Sequence, residues 1–441
     1  MTTDVRPPAP GHPSRLRRLA DSRLVRQNLV LFAGGLVAGL GGFIYHAIAT
    51  RLLGPSVYGE VATLVALYAV GGAVNLILIL VLARYAATLE ASGNTSGLRY
   101  LAVRSSQVLA IPAVAAVVLS ALAAGPIASF EHLHSPVPVV WLGAAVAVFW
   151  YAAVPRGLLQ GTQRFTALSL NLSLELVVRT VLLFVLLKVG LGVNGSMIAI
   201  LLGIGLAYGV GMYSLRGILA VRGERVPLRS MAGFAVTAAV GTVGVLLLYN
   251  LDVVLAKHYL SDHPAGIYGS LNKIGTILYF LTLSVSQVLF PRVVEAVARN
   301  AHPGRLLAMS AALMCGLGAC ALVVFGLLPN LVVNILFSAQ FRDGGPYVFK
   351  IGVVGLAISL INLLVQFLMA VHDRVFMPLL AFGVALLVGL IVTFHHDVGS
   401  VVGDVLGANL VLLALLIVRV LLLIPRLRPE MVVEAVEEAT P

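Results

Sequence analysis

The chain has 441 residues, of which 60% are hydrophobic and 11% charged, and its mean hydropathy is +1.02. Soluble domains carry about 45–50% apolar and about 25% charged residues, so a water-soluble enzyme is excluded, and so is a disordered chain. The formal net charge of +11 calls for no nucleic-acid partner, because Lys and Arg gather on the cytoplasmic loops of membrane proteins.

A bilayer core of about 30 Å takes about 20 apolar residues per helix, and such runs recur along the whole chain. Residues 1–26 are Pro-rich and then basic, with Arg15, Arg17, Arg18, Arg23 and Arg26. The first apolar run, 27–50, is far longer than the roughly 7–15 residues of a signal-peptide core. It predicts an uncleaved first helix. Later runs predict helices over 60–82, 106–125, 138–155, 165–187, 194–215, 232–255, 266–290, 306–328, 347–369, 375–394 and 401–424.

An even number of crossings puts both termini on one side. Cations crowd that side, with Arg84, Arg99, Arg104, Arg164, Arg216, Arg222, Arg225, Arg229, Arg292, Arg299 and Arg305 among them. The other side holds Arg51, Lys188, Lys257, Arg342 and Lys350. The asymmetry predicts cytoplasmic termini in a bacterial cytoplasmic membrane. Acidic residues of the tail (Glu430, Glu434, Glu437, Glu438) contribute little to orientation. The longest external loop, 329–346, is too small for a catalytic domain.

Two external turns repeat. One reads RLLGPSVYGEV, Arg51 to Val61, and the other LSDHPAGIYGSL, Leu260 to Leu271. Tyr58-Gly59 and Tyr268-Gly269 stand 210 residues apart, near half the chain. Six crossings per half make the repeats parallel, related by an axis along the membrane normal. The expected fold is an all-α polytopic membrane protein, with about 12 transmembrane helices in two parallel six-helix lobes around a central cavity. Its expected parts are a basic segment (1–26), an N-lobe (27–229), a C-lobe (230–425) and an acidic tail (426–441).

RLLGPSVYG after a first helix resembles the opening of bacterial polysaccharide flippases of the O-antigen type. LLYNLDVVLAKHYL followed by AGIYGSLNKIG (Leu247 to Gly275) and ILFSAQFRDGGPYVFKI (Ile335 to Ile351) resemble later parts of that family. The resemblance implies the multidrug/oligosaccharidyl-lipid/polysaccharide exporter superfamily, with two lobes around a V-shaped cavity. It implies a polyprenyl-pyrophosphate-linked oligosaccharide as substrate, with membrane lipids and polysaccharide polymerase or ligase machinery as partners. Two relatives remain open, a cation-coupled multidrug antiporter and a flippase for lipid II or teichoic-type precursors. Lipid II flippases carry extra basic residues within helix 1, where this chain reads GLGGFIY, Gly39 to Tyr45.

Charges inside a membrane are costly and mark cavities or partners. Glu175 and Arg179 are four apart on one helical face. Arg179 could contact phosphate through its planar fork, or the two could be a self-neutralised pair. Arg156 and Lys188 lie nearer helix ends and are expected to snorkel. Lys273 could attract pyrophosphate while Asp252 serves as a switchable partner or ion site, or the two could pin consecutive helices together. Glu175 is a second candidate for ion coupling. Arg84 could meet an incoming phosphate or act as a topology anchor. Asn171 and Asn272, beside these charges, are candidate sugar ligands.

His395-His396-Asp397 and His132-x-His134 lack the spacing of a closed metal site and read as solvated loops. Cys315 and Cys320, five apart in an apolar run, read as small hydrophobes. The sequence holds no Walker loop and no nucleophile–base constellation, so no enzyme activity, cofactor or metal is expected.

Overall fold

A computed structural model describes residues 15–226, 232–298 and 304–426. Every regular element among them is helical. The N-terminal half comprises α1 (Arg15–Gly71), α2 (Ala73–Ala91), α3 (Thr95–Leu122), α4 (Ala124–Phe130), α5 (Val137–Gly161), α6 (Phe165–Lys188), α7 (Gly192–Ser214) and α8 (Arg216–Leu219). The C-terminal half comprises α9 (Ala232–Tyr259), α10 (Asp262–Ala298), α11 (Gly304–Leu327), α12 (Pro329–Leu336), a 3₁₀ segment (Ala339–Tyr347), α13 (Val348–Ala370), α14 (Phe376–Thr393) and α15 (Val398–Leu423). A short 3₁₀ turn, Ile424–Arg426, follows.

Among the described residues, ten helical stretches are long and apolar enough to cross a bilayer. The first, Gly41–Ala91, is broken at Gly54, whose φ of 70° suits a residue without a β-carbon. Pro55 then starts the second leg, where a missing N–H costs nothing. The chain reverses there, since the Tyr58 hydroxyl lies 3.0 Å from His46 Nδ1. This stretch therefore makes two crossings. α10 is 37 residues long, and its residues 274–291 carry no charge, so it too can cross. With both legs and α10 included, the crossings reach the expected twelve.

The structure differs from expectation at two places in the N-terminal half. The basic residues from Arg15 onward belong to α1 rather than to a separate leader. The second crossing runs past 82 to Ala91 and bends at Gly72. A β-carbon there would sit 2.6 Å from the Phe149 ring. The acidic tail beyond Arg426 lies outside the described residues.

Contacts divide the helices into two lobes. In the N-lobe α5 packs on α2, α3 and α7, and α6 packs on α1 and α7. In the C-lobe α13 packs on α10, α11 and α15, and α14 packs on α9 and α15. The lobes meet where α1 lies against α9 and α10, and α2 against α9.

The repeated turns pack directly on each other at this boundary. A β-carbon on Gly266 would lie 1.8 Å from the Pro55 carbonyl oxygen, and one on Gly269 would lie 2.7 Å from Ala62 Cβ. Small residues permit such backbone approach. One apolar core runs across both lobes here, from Tyr45, Tyr58 and Val61 to Tyr268, Ile351 and Leu412. Towards the opposite end the N-lobe has a separate core, built around Leu82, Leu98, Leu101, Val154 and Leu158. The lobes thus share an interior at the turn end, whereas this second core belongs to the N-lobe alone.

Candidate functional site

In the N-lobe, Arg156 does not snorkel. It is 3% exposed and held from two sides by α6. Its Nε donates to Asn171 Oδ1 at 3.0 Å, and its other nitrogen bonds Glu175 Oε2. Asn171 Nδ2 donates to the Ala207 carbonyl at 2.5 Å, so this amide ties α5, α6 and α7 together. Helical spacing had pointed to Arg179 as the partner of Glu175. The close partner is Arg156, and Arg179 stays 3.8 Å away. Two cations share one carboxylate, which leaves the cluster net positive.

Arg179 is aimed at α1. Its guanidinium lies 5.2 Å from the Tyr45 ring centroid, close enough for a cation–π contact. The Tyr45 hydroxyl donates to the Ser196 carbonyl at 3.0 Å, which fixes the ring. Arg179 Nε is buried and has no hydrogen-bond partner. Gly42 and Gly203 make room for this side chain: a β-carbon on Gly203 would meet Arg179 Cβ at 2.6 Å.

In the C-lobe, Asp252 is 2% exposed. Its Oδ2 accepts from the Tyr268 hydroxyl at 2.5 Å and from Asn272 Nδ2 at 3.1 Å. Its Oδ1 is buried without a partner. Asn272 Nδ2 also lies 3.1 Å from the Tyr249 carbonyl. Lys273 is 8% exposed and forms no ion pair with Asp252 or any other carboxylate of the described residues. The expected Lys273–Asp252 bridge is therefore absent: the carboxylate takes neutral donors from its own lobe. A narrow crevice beside it is lined by Tyr249, Asp252, Asn272, Gly275, Ile351 and Gly355.

His46, 8% exposed on α1, lies within electrostatic reach of both Arg179 and Lys273. Arg84 stands apart: it is exposed on α2, the helix whose Leu82 and Leu89 belong to the separate N-lobe core.

Several charged groups at the turn end escaped the sequence reading. Glu60 is 2% exposed and pairs with His134, whose loop was read as solvated. Glu131 is 1% exposed and accepts from the Thr63 hydroxyl at 2.9 Å. Lys257 is 1% exposed and bonds Asp262. The available signal was position: Glu60 follows the first repeated Tyr-Gly directly, and Lys257 and Asp262 flank the second turn. Asp397 is a helix cap, with its Oδ1 accepting from the Ser400 amide at 2.7 Å. No group of three His, Cys, Asp or Glu capable of holding a metal occurs among the described residues.

Two apolar-cored lobes with buried charge near their boundary define an all-α, two-lobed polytopic membrane protein. The fold is similar to a multidrug resistance MATE family transporter of the MOP superfamily in its inward-facing conformation, with 15% identity, coverage of 91% of this chain and 95% of that one, and a TM-score of 0.66. It is also similar to the lipid II flippase MurJ in an inward closed conformation, with 11% identity, 90% and 87% coverage, and a TM-score of 0.64. At these identities the likeness is one of fold. No curated protein matches the chain at a significant level. The polysaccharide biosynthesis protein family model matches residues 24–297, more than half of the chain, and the chain belongs to that family.

Proposed function

We propose that the protein is a flippase that moves a polyprenyl-pyrophosphate-linked oligosaccharide from the cytoplasmic to the outer leaflet during cell-surface polysaccharide synthesis. The reading rests on one observation: each lobe sets an incompletely neutralised cation on a helix packed against α1, Arg179, which shares Glu175 with Arg156 and stays 3.8 Å from it, and Lys273, which has no ion pair among the described residues. The guanidinium fork can engage two pyrophosphate oxygens, and the ammonium adds a point charge. The glycan would lie between the lobes (27–229 and 230–425) while the prenyl tail stays in lipid. Asn272 keeps a buried, unpartnered Oδ1 for a sugar hydroxyl, whereas Asn171 is occupied with Arg156 and α7 and positions the cluster.

The positive-inside rule supports cytoplasmic termini in a bacterial cytoplasmic membrane. The repeated turns then face outward, and the shared core at that end describes a molecule closed to the outside. Alternating access would part the lobes there and close them at the cytoplasmic end. Polysaccharide polymerase or ligase machinery fits as a partner on the outer side. Arg84 would meet substrate entering from the inner leaflet.

A second reading, a cation-coupled multidrug antiporter, is favoured by Asp252, a buried carboxylate with only neutral donors. A deletion strain decides between the two. Loss of surface polysaccharide, with lipid-linked precursor trapped inside, supports the flippase. Normal polysaccharide in a strain without a redundant flippase, together with drug sensitivity, supports the antiporter.

A further inference from the structure

The turn end carries more buried charge than closing two apolar lobes requires. Three hydrogen bonds cross the boundary among the described residues. Arg51 of the N-lobe donates through Nε to the Phe337 carbonyl at 2.7 Å, and through a terminal nitrogen to the Ile335 carbonyl at 2.6 Å, so it caps the last turn of α12. In return, His258 of α9 places Nδ1 2.6 Å from the Phe130 carbonyl. Its ring stacks on Phe130 at 3.8 Å between centroids, with 7° between planes.

That contact lies beside Glu131, which is 1% exposed in the turn after α4, whereas His134, later in the turn, is exposed. Glu131 is tied to Thr63 within the N-lobe, and Lys257 acts on it electrostatically from across the boundary. His134 bonds the buried Glu60 and also feels Asp262 and Lys257. The charged or titratable groups facing this turn are therefore Glu60 from α1, Lys257 and His258 from α9, and Asp262 from α10. His132 lies in the turn itself, with its ring 5.6 Å from that of His258.

We propose that Glu131, in the turn after α4, is a proton-binding site that holds a proton while the lobes are closed at this end and releases it as the lobes part. The direction follows from linkage. Burial pushes the Glu131 carboxyl up to about 7, against an ordinary 4.5. The pair of His134 with Glu60 lies within the N-lobe and does not depend on the boundary. Parting the lobes admits water to Glu131 and returns it towards its ordinary value. The closed arrangement thus binds the proton more tightly than the parted one, and acid favours closure. As pH rises through about 7, Glu131 becomes a buried anion, which is costly and drives the lobes apart. The ligand is the proton, and nothing in this step depends on the cargo.

The test is a distance measurement on the full chain in lipid nanodiscs. Cys315 and Cys320 are replaced by Ser, and nitroxide labels are placed at Val137→Cys and Arg342→Cys, both exposed and in opposite lobes. Electron double resonance should show one short distance at acid pH and a growing longer population as pH rises through about 7. Glu131→Gln keeps an acceptor for Thr63 but cannot ionise, and should cut the long population at alkaline pH about twofold or more. His134→Ala removes an exposed titratable group of the same turn and should keep the pH dependence of wild type. A wild-type distance that ignores pH, a long population that grows towards acid pH, a Glu131→Gln variant that matches wild type, or a His134→Ala variant that loses the pH dependence would each overturn it. The measurement contains no glycan, so its failure leaves the flippase reading untouched, and normal polysaccharide in the deletion strain leaves this site untouched.

Discussion

Tyr58 and Tyr268, 210 residues apart, do the same thing in the two lobes. Each hydroxyl reaches back to the preceding helix: Tyr58 to His46 Nδ1 at 3.0 Å, and Tyr268 to Asp252 Oδ2 at 2.5 Å. In both cases a titratable side chain inside the bundle is tied to the turn where the lobes meet. The turns are thus mechanically continuous with the charged interior, and a rearrangement in one reaches the other through a single hydrogen bond. The Gly positions beside each Tyr let the backbones touch.

Gly266→Ala tests that contact. Its β-carbon would overlap the Pro55 carbonyl oxygen at 1.8 Å, and backbone rather than a flexible side chain must move. Overpacking of this kind costs about 1–3 kcal/mol. The variant should melt several degrees below wild type in detergent. Gly125→Ala, whose β-carbon meets nothing within 4 Å, should melt with wild type. Equal melting of Gly266→Ala and wild type would show that the turns do not press on each other.

Arg156 is the structural cation of the N-lobe. Arg156→Leu leaves Glu175 buried with Arg179 alone, 3.8 Å away. Breaking a buried pair from one side costs about 3–5 kcal/mol, whereas replacing both partners with apolar groups is near neutral. The double variant Arg156→Leu/Glu175→Leu should therefore regain most of the lost melting temperature. If the double variant is no better than Arg156→Leu, the pair is not the source of the stability.

The helices were legible because about 20 consecutive apolar residues leave little choice in a bilayer, and the repeat was legible because Tyr-Gly recurs at half-length. The pairing of charges was not. Spacing on one helix put Glu175 with Arg179, yet the closest cation comes from α5, and only tertiary packing decides which guanidinium arrives. Lys273 and Asp252 looked like a pair because their helices are consecutive, but Tyr268 and Asn272 satisfy the carboxylate first. The turn-end charges were missed for a related reason. Glu60, Glu131 and Lys257 sit near the turns, where a charge reads as solvated, and only tertiary packing buries them.

For the cargo site, charge reversal at Arg179 or Lys273 should lower complementation of a deletion strain at least tenfold, about 1.4 kcal/mol of lost interaction. Arg179→Lys keeps the charge but loses the fork, and should fall between wild type and Arg179→Glu. Surface polysaccharide per cell is the readout, with membrane abundance of each variant as the control. Wild-type polysaccharide from both reversed variants at equal abundance would remove the two cations from the site.

Asp397 gives a stability change with a defined sign in pH. Its carboxylate caps α15 by accepting from the Ser400 amide, while Ser400 Oγ and the Asp397 amide close the reciprocal bond at 3.0 Å. These bonds to Ser400 hold the Asp397 carboxyl below its ordinary 3.8. A group with a lowered folded value stabilises the fold above its unfolded value and loses that contribution as pH falls through the folded one. Asp397→Ala should cost about 0.5–2 kcal/mol at neutral pH, the usual loss for an N-cap. The gap in melting temperature between wild type and variant should narrow on acidification below 3.8. Asp397→Asn, which keeps an acceptor but no charge, should show a smaller gap at neutral pH that also narrows on acidification. A gap for Asp397→Ala that is constant from neutral to acid pH would mean that the cap works without its charge.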